Sequence, residues 1–140
     1  MKIPLYVTRP LIQNWVTTNE PYLKHFLDFI VFKHFESFLE HIRKSILNSA
    51  QAENASSLIV ALDTSTMHAE NIQSIRMIHP DIKVILFDMI EDSGIILDCL
   101  QYGYNSIIEV GTKPHDMIAI IQKLTLQKIS ISPELIDRLL

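Results

Sequence analysis

Ser57-Leu58-Ile59-Val60-Ala61-Leu62-Asp63 places five consecutive apolar residues directly before a carboxylate. After the turn-forming Glu53-Asn54-Ala55-Ser56, so short an apolar run reads as a strand buried on both faces. Strands of that kind belong to parallel sheets, and ligands of open α/β sheets sit just beyond the carboxyl ends of the strands. Asp63 stands at that end. A second run, Val84-Ile85-Leu86-Phe87, also stops on an acid, Asp88.

Helical patterns separate these strands from their neighbours. Residues 69–78 carry Ile72, Ile75, Met77 and Ile78 at helical spacing and stop at His79-Pro80, since proline disfavours helix in the residue before it. Residues 93–101 carry Ile95, Ile96, Leu97, Cys99 and Leu100, with Gly103 suited to a left-handed C-terminal stop. Ser106 to Val110 reads as a last short strand. Pro114 then opens a helix through Met117, Ile118, Ile120, Ile121 and Leu124. Ser132-Pro133 starts one more helix, with serine as cap and proline at the first helical position.

The N-terminal half follows the same order. Ile3 to Val7 is a strand with Pro4 tolerated near its start. Pro10 begins a helix that includes Leu11, Ile12 and Trp15, and which is expected to end near Thr18 or to restart at Pro21. Phe26 to Phe32 is the second strand. The helix over 35–47 places Phe38, Leu39, Ile42, Ile46 and Leu47 on one side. Strand then helix, five times over, predicts a parallel sheet with helices on both faces and right-handed crossovers.

A length of 140 residues is one domain with room for a real core. With 48% hydrophobic and 20% charged residues the chain is too apolar to be disordered. A net charge of -4 and the lack of a basic run give no footprint for nucleic acid. One cysteine, Cys99, excludes an internal disulfide and fits a reducing cytosol. No stretch resembles a signal peptide or is long enough to span a bilayer, so the expected location is cytoplasmic.

From Ser57 onward the sequence resembles the receiver domain of bacterial two-component response regulators, in the NarL/FixJ (LuxR-type) branch. The residues that carry the likeness are Leu58 to Asp63, then Ile75-Arg76-Met77-Ile78-His79-Pro80-Asp81-Ile82-Lys83-Val84-Ile85-Leu86. Met89-Ile90-Glu91-Asp92, Cys99-Leu100-Gln101-Tyr102-Gly103-Tyr104, Pro114, Ser132-Pro133-Glu134-Leu135 and Leu139-Leu140 complete it. The first 56 residues agree in element order but poorly in sequence. The resemblance implies a flavodoxin-like (CheY-like) doubly wound sheet of five parallel strands, order 2-1-3-4-5. It assigns residues 1–130 to a receiver-like domain. Residues 131–140 become the start of a linker or helix toward a helix-turn-helix DNA-binding domain that these residues do not contain, so the chain is expected to be a fragment of a longer protein.

The same resemblance implies a chemistry, and the residues depart from it. An aspartate at the end of the third strand accepts a phosphoryl group from a histidine kinase in that family, and Asp63 matches it. The two acids that hold Mg²⁺ fall on Val7 and Thr8, the Thr or Ser position on Asp88, and the lysine position on Val110. The Met-Pro-Gly that usually follows the acceptor is replaced by Thr66-Met67-His68. Lys113-Pro114 matches the Lys-Pro pair of other receivers if three inserted residues are allowed, although a proline opening a helix explains it equally. Mg²⁺ requires hard oxygen ligands, which Val7 and Thr8 do not supply adequately. Two like charges about 5 Å apart at an effective dielectric of about 20 repel by about 3 kcal/mol, so Asp88 opposes an added phosphoryl group.

Arg9 follows the first strand, where its guanidinium can reach Asp63 or Asp88 in place of the missing cations; the plain alternative is an arginine pointing into water. The expected function is therefore an atypical, non-enzymatic receiver that acts by protein-protein contact, without a cofactor. Two copies are expected to pair through the fourth helix, fifth strand and fifth helix, near Tyr102 and Tyr104, with DNA reached only through the further domain and no membrane partner. The alternatives are a phosphorylated receiver that uses Mg²⁺ with Asp63 as acceptor, and a small-ligand sensor above Asp63 and Asp88. His34 and His41 near Glu40 read as a solvated helix face, His25, His68, His79 and His115 are scattered, and Cys99 reads as core. With only Gly94, Gly103 and Gly111, no phosphate-cradling loop is present.

Overall fold

The computed structural model describes residues 1–48, 58–63, 69–90 and 92–139. The turn expected over Glu53 to Ser56, the first residue of the opening stretch (Ser57), Thr66-Met67-His68, Glu91 and Leu140 lie outside the described residues. Along the described residues run β1 (Lys2–Tyr6), α1 (Pro10–Leu23), β2 (Asp28–Phe32), α2 (Phe35–Asn48), β3 (Ile59–Leu62), α3 (Ala69–Ile78), β4 (Lys83–Asp88), α4 (Ser93–Tyr102), β5 (Ser106–Glu109), α5 (Pro114–Leu124), β6 (Ser130–Ile131) and α6 (Pro133–Leu139). All neighbouring strands are parallel, in the order β2-β1-β3-β4-β5-β6.

The two-residue period of the strands divides the core cleanly. Ile3, Leu5, Val7, Phe29, Ile59, Ala61, Ile85, Phe87 and Ile108 face one side, where α1 and α5 cover them with Ile12, Val16, Leu23, Met117, Ile120, Ile121 and Leu124. The alternate residues Val60, Leu62, Val84, Leu86 and Ile107 face the other side. There they meet Phe38, Leu39 and Ile42 of α2, Ile72 and Ile75 of α3, Ile96 and Cys99 of α4, and Leu135 of α6. Both faces of β3 are therefore dry, as its unbroken apolar run requires.

Three sequence expectations need correction. The sheet has six strands, not five: Ser130 and Ile131 pair with Ser106 and Ile107. Two residues are too few to show an alternating pattern; what holds them is the Ser130 amide donating to Asn105 O at 3.0 Å and the Ser130 hydroxyl donating to Ile120 O at 2.8 Å. The first helix neither ends at Thr18 nor restarts at Pro21. It runs unbroken to Leu23 with Pro21 inside; the carbonyl that Pro21 cannot engage belongs to Thr17, an exposed residue. The second strand begins at Asp28 rather than Phe26, since the Phe26 and Leu27 amides still donate to Leu23 O at 2.8 and 2.9 Å.

At the amino ends of β4 and β5 a polar hub joins four segments. Asn105 Oδ1 accepts from the Val84 amide and from Arg76 Nη2, both at 2.8 Å, while its Nδ2 donates to Lys128 O at 2.9 Å. Arg76 also donates to the carbonyls of Gly103 (2.8 Å), Pro80 (3.3 Å) and Ile82. Burial lowers the pKa of its guanidinium, and Asp81 opposes that shift. Gly103 adopts φ 102° as the left-handed cap of α4, a conformation that glycine reaches without penalty.

Candidate functional site

The carboxyl ends of β1, β3 and β4 converge on Asp63. Its side chain is fully buried, at 0% exposure, beneath the turn that links β1 to α1. Pro10 occupies the first position of α1, which fixes the backbone there and turns two preceding amides toward the acid. Thr8 N donates to Asp63 Oδ1 at 2.6 Å and Thr8 Oγ1 donates to the same oxygen at 3.1 Å. Arg9 N donates to Asp63 Oδ2 at 2.9 Å, and Arg9 Nε lies 3.9 Å from that oxygen. Both carboxylate oxygens are occupied.

Arg9 continues to the second acid. Its Nη2 donates to Asp88 Oδ1 at 2.7 Å, with Phe87 O at 3.5 Å. Met89 N donates to the same Asp88 oxygen at 2.7 Å. The Arg9 side chain is 30% exposed and that of Asp88 15%, so the guanidinium bridges the two strand ends rather than pointing into water. Cys99, buried nearby in α4, has its thiol pushed up to about 12 by burial and then by the charges of Asp88 and Asp98.

The other expected positions lie as follows. Val7 is core, 3% exposed, among the residues under α1 and α5, so it offers no ligand atom. Thr8 spends its hydroxyl on Asp63. Val110 is half-buried against the same core face, and its amide donates to Asp88 O at 3.0 Å. Lys113 is the exposed cap residue of α5 and lines a groove with Glu109, His115 and Asp116. Among the described residues the side-chain cation that pairs with Asp63 and Asp88 is Arg9. Tyr102 is exposed, whereas Tyr104 is 2% exposed and belongs to the core.

Among the described residues these groups do not form the open octahedral set of oxygens that Mg²⁺ seeks: hydrogen-bond donors enclose Asp63, and Asp88 carries the guanidinium. Among the described residues no three His, Cys, Asp or Glu side chains form a metal-sized group, and His41 instead lies against the Phe32 ring at 5.1 Å. Sequence reasoning missed the role of Thr8, whose backbone and hydroxyl close over the acid. It also missed Arg138, which grips Glu109 with two bonds of 3.0 and 3.2 Å. Neither carries a sequence signal, because a backbone amide is silent and a pair 29 residues apart needs the fold to meet.

No protein-family model and no curated protein matches the sequence. Solved structures do. The isolated receiver (REC) domain of RcsB from Salmonella enterica serovar Typhimurium, determined with phosphomimetic BeF3-, superposes with a TM-score of 0.70 at 16% identity, covering 100% of this chain and 98% of that one. A LuxR-family two-component response regulator from Aurantimonas sp. SI85-9A1 gives 0.66 at 12% identity over 98% of this chain and 93% of that one. A pilus assembly protein CpaE from Caulobacter crescentus CB15 gives 0.56 at 15% identity over 88% and 98%. The chain has the flavodoxin-like fold of response-regulator receivers.

Proposed function

We propose that this chain is an atypical receiver of the LuxR type, a signalling module that works through protein contact and is not switched by Mg²⁺-dependent phosphorylation of Asp63. The observation that carries the reading is the enclosure of Asp63: zero exposure, with three hydrogen-bond donors and a guanidinium around its two oxygens. An acceptor needs a free oxygen lined up with phosphorus, and catalysis of that transfer is chiefly positioning and neutralisation of charge. Arg9 neutralises the acids without leaving an approach. The module is a contact element rather than an enzyme, working in the cytoplasm; no helix among the described residues is long and apolar enough to cross a membrane.

Two copies pair through the side of the sheet made by α4, β5 and α5, on which β6 and α6 form an outer layer, and exposed Leu97, Tyr102 and Ile136 supply its apolar surface. DNA is contacted by a separate domain, and a histidine kinase remains a partner only if Asp63 is uncovered. The test is thermal unfolding with and without Mg²⁺ and beryllofluoride, the phosphoryl mimic. The proposal expects an unchanged midpoint. A saturable rise that requires both Mg²⁺ and Asp63 overturns it in favour of a conventional receiver.

A further inference from the structure

The C-terminal helix α6 is seven residues long, too short to hold its shape without tertiary contacts. Three contacts fix it. Leu135, 1% exposed, belongs to the core cluster that includes Ile96, Cys99, Tyr104 and Ile107, and half-buried Leu139 packs against that cluster. Arg138 makes its paired bonds to Glu109 and donates Nη1 to Ile90 O at 3.3 Å. The amino end is closed locally, with Ser132 O and Oγ accepting from the Leu135 amide at 3.1 and 3.3 Å. A unit held by two leucines, one of them only half-buried, and one arginine opens more readily than the sheet beneath it.

Both Arg138 anchors lie beside the acid pair. Glu109 is the β5 residue in register with Asp88. Ile90 is two residues beyond Asp88, and the intervening Met89 amide is held by Asp88 Oδ1, the oxygen that Arg9 grips. The bonds therefore run without a gap from Asp63 through Arg9, Asp88 and the Met89-Ile90 backbone to Arg138. We propose that α6 is a latch whose closure over the apolar face of α4 and β5 is held in part by the Arg9–Asp88 pair, giving the acid crevice a direct mechanical route to the C-terminal helix. The coupling needs no chemical change at Asp63, so it stands whether or not that residue is ever modified.

The test is amide hydrogen exchange of the full chain, read on the segment 133–139 against α1 and the sheet. Arg138→Ala removes the latch contact directly, and Asp88→Ala removes the remote support; Asp88→Asn replaces the latter if it does not fold. Both variants are expected to speed exchange over 133–139 by about tenfold, the response to about 1.4 kcal/mol lost from local closure, well beyond any change in α1. Acceleration by Arg138→Ala but by neither Asp88 variant overturns the coupling. No acceleration in any variant, or equal acceleration in α1, overturns the latch itself.

Discussion

Replacing Arg9 by methionine keeps the apolar stem and deletes the only charge that joins Asp63 to Asp88 among the described residues. Two losses add. A hydrogen bond to a charged partner contributes about 1.5–3 kcal/mol, and the 30% exposure of the Arg9 side chain reduces that to about 1–2 kcal/mol by solvent screening. The two acids are also left facing each other. Both lie within reach of one guanidinium, at 3.9 and 2.7 Å, and carboxylates about 7 Å apart repel by about 2 kcal/mol at an effective dielectric of about 20. Arg9→Met should therefore lower the unfolding free energy by about 3 kcal/mol and the melting temperature by about 10 °C. Urea unfolding followed by circular dichroism measures it, with Arg9→Lys expected to recover part of the loss because an ammonium can meet only one acid well. An Arg9→Met protein within about 0.5 kcal/mol of wild type, the range of ordinary surface substitutions, would mean that the Arg9 bridge contributes nothing to the fold.

Asp63→Ala leaves the Thr8 and Arg9 amides without their acceptor, and should destabilise by about 2–4 kcal/mol in the same assay; a neutral result would mean that solvent replaces the carboxylate freely. Asn105→Ala strips partners from Val84 N, Arg76 and Lys128 O together, and should cost about 2–4 kcal/mol, again read by urea unfolding. The Cys99 thiol stays protonated in the folded state until about pH 12, whereas the unfolded chain ionises it from about pH 9. The unfolded state thus binds fewer protons across that window, so the stabilising contribution is complete below about pH 9 and is lost at up to about 1.4 kcal/mol per unit as pH rises toward 12. Cys99→Ala should flatten that alkaline decline in a pH series of melting curves. Thiol reagents at neutral pH should leave Cys99 unmodified until the protein unfolds.

The repeating strand-helix order was legible because the parallel strands are buried on both faces and their helices on one. Ile59 to Leu62 and Val84 to Phe87 show the first as unbroken apolar runs, and α2 and α5 show the second as one-sided spacing. The position of Asp63 and Asp88 at strand ends followed from the same runs, and the reach of Arg9 followed from its place after β1. Burial of Asp63 did not, since it depends on two amides that any residues would supply. β6 was invisible for want of length, and the persistence of α1 past Pro21 goes with an exposed Thr17 four residues earlier, which its own sequence does not announce. The Arg76–Asn105 hub was equally silent, because an asparagine after Tyr102-Gly103-Tyr104 reads as an ordinary turn residue.

If Asp63 is sealed by its own chain and paired with Arg9 in place of Mg²⁺, intact mass will show it. Protein incubated with Mg²⁺ and a small-molecule phosphodonor is expected to retain its unmodified mass. A stable added phosphoryl group that disappears in Asp63→Ala would contradict the account.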